Sequence, residues 1–270
     1  MNPVSGFFQS IRSAVKVPFR WIFSRLLERH DRIHEKRIRR EIEITLTHEL
    51  KTPLTTILGY SEILLESAKF ADEESLGYIR SIHRQSRELV RFIDNLIILS
   101  VIDFNPQVFF RNEADLAVIV REAMMDFDRD HRGESGYRFV VEGEDSLTVE
   151  TSERLIRKSL LELFLNAWLY RSPDRELEIH VKLEKTGGYG IVTVSDNGLG
   201  ISARYLPRIW EKFFRVEAEE NAHVPGLGVG LCLVRQSVEL FGGSITVESE
   251  EGKGTSFLIH LSSASGREEP

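Results

Sequence analysis

Two apolar stripes at helical spacing dominate the first half of the chain. Leu50, Leu54, Ile57, Ser61 and Leu64 recur at 4-3-4-3 intervals, and Ile79, Ile82, Ser86, Leu89, Ile93 and Leu96 at 3-4-3-4-3. Such spacing gives each helix one apolar face suited to bundle packing. The pattern predicts helices over 32–67 and 75–101, and the short link 69–74 folds them back as an antiparallel hairpin. Two helices alone leave much of each stripe wet, so pairing two hairpins into a dimeric four-helix bundle is expected.

Asn105-Pro106 ends the helical pattern. Beyond it strands and helices alternate. Strands are expected at 107–111, 137–142, 147–150, 177–183, 191–195, 244–249 and 255–261. Helices are expected at 115–129, capped by Asp115, and at 153–170 and 231–241. Mixed elements of this kind predict an α+β fold: a two-layer α/β sandwich following the hairpin. The expected division is a basic N-terminal segment 1–31, a hairpin domain 32–104, the sandwich 105–262 and a disordered tail 263–270.

Charge changes the picture at the N-terminus. Residues 1–40 hold ten Lys and Arg against three acids, a net +7, which leaves −14 for the rest of a chain whose total is −7. A basic head on an acidic body points to contact with an anionic surface and not to nucleic acid along the chain. Residues 7–29 interleave Phe7, Phe8, Phe19, Trp21 and Phe23 with Arg and Lys. Two readings of the segment stand, an amphipathic stretch at a membrane surface or a short helix packing on this chain or a partner. Pro18 interrupts any single continuous helix. No run reaches the ~18 apolar residues of a membrane span, and no signal peptide is legible. Cys232 is the only cysteine, so no internal disulfide or cysteine metal cluster can form. These features lead us to expect a cytoplasmic protein, peripheral at the inner face of the membrane if residues 1–31 bind it, with no sensor domain ahead of residue 32.

Candidate chemistry lies in four places. THELKTPL (Thr47 to Leu54) puts His48 on the first helix, followed by Glu49, with Thr52 four residues on and Pro53 next. A neutral imidazole is a competent nucleophile when one nitrogen is free, and a neighbouring carboxylate can hold or accept its proton. A zinc-protease reading fails, because HExxH needs histidine where Thr52 stands. LLELFLNAWLY (Leu160 to Tyr170) carries Asn166. DNGLG spans Asp196 to Gly200, and GLGVGL spans Gly226 to Leu231. Twelve of the nineteen glycines fall between Gly187 and Gly254, where backbone can approach phosphate without an intervening side chain. GLGVGL has GxGxG spacing after a polar segment, which is not a dinucleotide fingerprint, and no GK[ST] follows for a Walker A loop.

In this order the boxes resemble the sensor histidine kinases, from about residue 38 to residue 261. The C-terminal half resembles the GHKL-type ATPase fold shared by histidine kinases, gyrase, Hsp90 and MutL. That resemblance implies ATP and Mg²⁺ as cofactors, and an acceptor role for His48 with Glu49 assisting transfer. Thr52 would orient a water when the partner is dephosphorylated. It further implies that Asp196 hydrogen-bonds the adenine amino group, that Gly198 and Gly200 shape the base pocket, and that Asn166 ligates the metal. Gly226, Gly228, Gly230 and Leu231 would border the phosphates, and Gly254-Thr255 matches the last glycine box. IWEKFFRVE (Ile209 to Glu217) matches the aromatic box, with Phe213 and Phe214 as anchors and Arg215 reaching phosphate. The implied partners are a response-regulator receiver domain and a second copy of the chain.

Two positions depart from the family pattern. Glu162 stands where the kinases carry a second Asn, and Leu169 where they carry a basic residue. A carboxylate at 162 can bind metal, so Glu162 joins Asn166 as a candidate ligand, while Arg171 projects elsewhere on the helix. The leading expectation is an ATP-dependent protein-histidine kinase in two-component signalling. The alternatives are a catalytically weak docking module or phosphatase with a degraded ATPase site, and an Hsp90-type clamp with Glu162 as base, in which the His48 box has no place.

Overall fold

The computed structural model describes residues 54–55, 57–65, 73–131, 134–216 and 228–263. Residues 54–55 and 57–65 are helical, and helix α1 spans Glu73–Phe104. The first helix meets α1 through a buried polar contact. The Ser61 hydroxyl donates to the Leu58 carbonyl at 2.7 Å and lies 3.3 Å from Nδ1 of His83 on α1. Ile57, Tyr60, Ile63, Leu64, Tyr78, Ile82 and Leu89 remain exposed on the two helices.

α1 stops where the chain reaches Asn105-Pro106. The Asn105 N–H still closes onto Val101 O at 2.8 Å, but Pro106 has no N–H to continue the ladder. The strand expected at 107–111 does not form. A 3₁₀ turn, Pro106–Val108, takes its place, closed by Phe109 N–H on Pro106 O at 3.0 Å. Strand β1 instead spans Asn112–Asp115 and pairs antiparallel with β3, Thr148–Thr151, with Asp115 opposite Thr148. Asn-Glu-Ala-Asp has little strand propensity of its own, so the pairing partner decides its conformation.

Helix α2, Leu116–Asp130, begins at the expected cap. The Asp115 carboxylate accepts Ala117 N–H at 2.9 Å, Leu147 N–H at 3.0 Å and the Ser146 hydroxyl at 2.8 Å. Strand β2, Tyr137–Gly143, helix α3, Glu153–Leu169, and strands β4, Leu177–Thr186, and β5, Tyr189–Asp196, follow. Helix α4, Gly230–Glu239, and strands β6, Ser244–Glu250, and β7, Gly254–Ser262, complete the described elements. One five-stranded sheet has the order β2-β4-β5-β7-β6; β2 and β4 are parallel and the other pairs antiparallel. The parallel pair requires a crossover, which runs through β3 and α3.

The core lies between the sheet and helices α2, α3 and α4. Leu116, Ile119, Phe127, Leu160, Phe164, Val181, Val192, Val234 and Ile259 are buried there. Alternation on β4, with Leu177, Ile179, Val181 and Leu183 inward, follows from the two-residue strand period. Truncating such a site, as in Leu160→Ala, costs about 2–5 kcal/mol. A second, smaller cluster joins Ile98 and Leu99 of α1 to Leu155, Val229, Cys232, Leu233 and Phe241. Burial pushes the Cys232 thiol above its ordinary pKa. Lys212 and Asp103 of α1 form an ion pair at 2.8 Å beside this cluster. Among the described residues no helix is long and apolar enough to cross a membrane.

Candidate functional site

The end of β5, the C-terminus of α3, the start of β7 and the start of α4 carry the predicted nucleotide residues. Asp196 is the last residue of β5. Its Oδ1 accepts Gly198 N–H at 2.8 Å, and its carboxylate also accepts the backbone N–H of Thr255. Burial pushes the Asp196 carboxyl above the usual range, and the two N–H groups and the charge of Arg175 offset only part of that. A half-buried carboxylate held in this way is a ready acceptor for an amino group.

The DNGLG loop is bound on all sides. Leu199 N–H donates to Tyr170 O, the C-cap of α3, at 2.9 Å, and a methyl group on Gly198 would stand 2.5 Å from the same carbonyl. Asn197 bridges Glu176 O and Glu178 N–H at 3.0 and 2.9 Å. Arg175 clips Gly198 O and Gly252 O together at 3.0 and 2.6 Å. Gly200 has φ 71°, and a side chain there would run into Glu250 O; its left-handed backbone favours glycine. The Ser249 hydroxyl accepts Ile201 N–H at 2.7 Å and lies 2.8 Å from Thr255 Oγ1. Thr255 is itself buried. Arg175 and Ser249 carry no motif signal, because each acts through backbone atoms of distant loops.

Asn166 lies one turn after Glu162 on α3, half-buried, and its side chain makes no hydrogen bond to any described residue. An open amide oxygen on this face fits a hard cation as one of its oxygen ligands. Glu162 is differently placed. It is buried and ion-paired to Lys158 at 2.9 Å, and Asn95 of α1 also donates to it. Desolvation works against its charge, yet Lys158, Arg91 and the two hydrogen bonds hold its carboxyl below the ordinary value. Arg171 stacks over the Trp168 ring at 3.7 Å and donates to Trp168 O at 2.6 Å, so it is turned away from the position of Leu169. Among the described residues no group of three His, Cys, Asp or Glu could hold a metal.

In the aromatic box Phe214 packs and Phe213 does not. Phe214 is half-buried, near Tyr205, with Arg208 over its ring at 4.2 Å. Phe213 is exposed but has φ 68°, and its N–H donates to Gly228 O at 2.8 Å. That bond joins the aromatic box directly to the second glycine box. Arg215 and Leu231 are half-buried, and Gly230 opens α4. His48, Glu49, Thr52, Gly226, the segment 1–31 and the tail from 264 lie outside the described residues.

Two family models match the chain. Residues 39–104 match the His Kinase A (phospho-acceptor) domain, and residues 151–265 match the histidine kinase-, DNA gyrase B-, and HSP90-like ATPase. The phosphate regulon sensor protein PhoR of Pseudomonas aeruginosa is 24% identical over 234 residues, covering 86% of this chain and 52% of that protein. The sensor protein kinase WalK of Staphylococcus saprophyticus is 29% identical over 228 residues, covering 84% of this chain and 37% of that one. The chain thus spans about half the length of the first relative and less of the second. The crystal structure of full-length ShkA in complex with AMPPNP matches with a TM-score of 0.62 at 23% identity, over 83% of this chain and 46% of that one. The Acinetobacter baumannii histidine kinase AdeS matches with a TM-score of 0.56 at 22% identity, over 81% and 98%. At these identities the two structures speak for the fold. The fold and site define a helical hairpin joined to an ATP-binding domain of the GHKL type. The chain belongs to the sensor histidine kinases.

Proposed function

We propose that this chain is an ATP-dependent protein-histidine kinase that phosphorylates its own His48 and passes the phosphoryl group to an aspartate of a response-regulator receiver domain. The observation that carries the reading is the half-buried, doubly hydrogen-bonded Asp196 carboxylate, in a loop fixed against the C-terminus of the Asn166 helix. It supports adenine recognition at Asp196, with Gly198 and Gly200 letting the backbone close around the base. ShkA, the structural relative above, was crystallised with AMPPNP, and ATP is the matching nucleotide for this chain.

Asn166 would offer its side-chain oxygen to Mg²⁺, which would supply positive charge against the triphosphate. Gly226, Gly228, Gly230 and Leu231, at the entry to α4, would face the phosphates with backbone N–H groups. Arg215 and Thr255 complete the polar lining. In the transfer, a nitrogen of the His48 imidazole forms a bond to the γ-phosphorus. The bond from that phosphorus to the β,γ-bridging oxygen breaks, and ADP leaves with the electron pair. The imidazole proton passes to Glu49. Positioning and charge stabilisation carry most of such a reaction. Thr52 orients water for the reverse task, hydrolysis of the regulator's acyl phosphate.

The exposed apolar residues of the hairpin support a homodimer through a four-helix bundle formed by residues 32–104, with 105–262 as the nucleotide domain. The basic, aromatic segment 1–31 is proposed to lie on an anionic membrane surface. Flotation of the full chain and of a chain lacking residues 1–31 with anionic vesicles tests this, and equal flotation of both argues against it. Phosphorylation of histidine has a chemical signature, since a P–N bond is acid-labile and base-stable. Incubation with γ-labelled ATP and Mg²⁺ is expected to give label of that kind. Acid-stable label would contradict the reading.

A further inference from the structure

Glu162 sits where three helices converge. Its side chain is only 4% exposed. Lys158, one turn earlier on α3, brings Nζ to 2.9 Å from Oε1. From α1, Asn95 donates its amide to the carboxylate, and Arg91 adds positive charge. Oε2 faces the first residue of α4: a methyl group on Gly230 would stand 2.6 Å from it. A carboxylate leaves water at a large cost, offset only by pairing and hydrogen bonds. Two of the groups supplying these come from the hairpin.

We propose that Glu162 is a docking residue, which holds the nucleotide domain against the second hairpin helix through Asn95 and Arg91, and that in this arrangement it is no metal ligand. The face of α1 turned to the nucleotide domain reads Arg91, Asn95, Ile98, Ile102, at 4-3-4 spacing. Its polar half meets Glu162, and its apolar half packs with Val229, Cys232 and Leu233. The pattern of α1 is therefore complementary to the domain it covers. Asn95 itself is 2% exposed, and its Oδ1 has no partner among the described residues. An apolar residue would pack there without leaving an acceptor open, so the asparagine has its use in the bond to Glu162. For Glu162 to reach a metal, Lys158 and Asn95 would first have to release it. In this arrangement Lys158 and Asn95 already engage the carboxylate, and docking on α1 is the use the packing shows.

Hydrogen exchange on the full chain tests the assignment. E162Q keeps the side-chain volume and removes the charge. Amides of residues 91–104 are expected to exchange about tenfold faster, the scale of one lost charge-assisted hydrogen bond, while β4, β5 and β7 keep their protection. N95L should open the same segment, and the double variant should open it by less than the sum of the two single changes, because both remove the Asn95–Glu162 bond. Unchanged exchange of residues 91–104 in E162Q, or additive effects of the two changes, overturns the proposal. A second arm titrates ATP by calorimetry with and without Mg²⁺. E162Q should keep the Mg²⁺-dependent part of the affinity; its loss in E162Q would make Glu162 a metal ligand and overturn the assignment. Should E162Q not fold, N95D sets a second carboxylate against Glu162, and residues 91–104 must then open; wild-type protection there sinks the idea. The exchange arm uses no nucleotide, so its result is separable from that of the kinase reading.

Discussion

Asp196 and Thr255 stand opposite one another in the antiparallel register of β5 and β7, and the Asp196 carboxylate accepts the Thr255 backbone N–H. The preceding residue, Gly254, has φ 125°, and a side chain on it would overlap the Asp196 carbonyl oxygen. Gly254→Ala therefore strains the backbone and separates the strands that position the acidic group. We expect a stability loss of about 1–3 kcal/mol together with loss of ATP affinity. Thermal unfolding and calorimetry on the same sample check both. Wild-type values for the alanine variant would contradict the arrangement.

Asp196→Asn separates recognition from folding. Burial raises the Asp196 carboxyl pKa. A carboxyl raised above its unfolded value contributes stability fully present below the ordinary carboxylate range, and that contribution is lost as pH rises through the folded value. The asparagine variant avoids this loss and should unfold at neutral pH at a temperature equal to or above wild type. Its ATP affinity should fall about 100-fold, roughly 2.7 kcal/mol, because the amide has one acceptor oxygen, which the Gly198 N–H holds, and its NH₂ then sets a donor against the adenine amino group. An unfolding temperature below wild type, or retained affinity, counts against the assignment.

Asp115 behaves in the opposite sense. Desolvation works against its charge, but hydrogen bonds from Leu147, Ser146 and Ala117 outweigh it and hold the carboxyl below its usual value. Its stabilisation is present above the ordinary carboxylate range and lost as pH falls through the depressed value. Asp115→Ala removes the cap of α2 and should cost about 1–2 kcal/mol near neutral pH, with a smaller difference from wild type in acid. Urea unfolding at the two pH values measures it, and a difference independent of pH would count against the cap.

On the hairpin, Ile82 is 49% exposed, and Tyr60 and Ile63 more so. An exposed apolar stripe of this length calls for a partner surface. Ile82→Lys should convert a dimer into monomers without unfolding the nucleotide domain. Sedimentation velocity reports the change, and an unaltered sedimentation coefficient removes this stripe from the interface.

Much of this architecture is legible in the sequence. The two stripes at alternating three- and four-residue spacing announce the hairpin, and Asn105-Pro106 announces its end. Asp115 reads as a cap because its side chain acts on its own neighbours. Asp196 and Asn166 are expected at a nucleotide only through the family resemblance that the glycine boxes and the Asn-bearing helix carry together. Other features depend on contacts distant in sequence. Strand β1 is polar and becomes a strand only by pairing with Thr148–Thr151. Arg175 and Ser249 act on carbonyls and N–H groups that no spacing reveals. Glu162 suggests a metal ligand from its place on α3 alone. Only the packing of α1 brings Asn95 and Arg91 to it, along a face of α1 less apolar than the stripe the periodicity singles out.

The kinase reading requires that His48 receive the terminal phosphoryl group of ATP. Its most direct measurement is incorporation of label from γ-labelled ATP and Mg²⁺ into wild type and His48→Ala, with calorimetry confirming that both bind the nucleotide equally. Label is expected on the wild type and none on the variant. Label that persists undiminished in His48→Ala would contradict that reading.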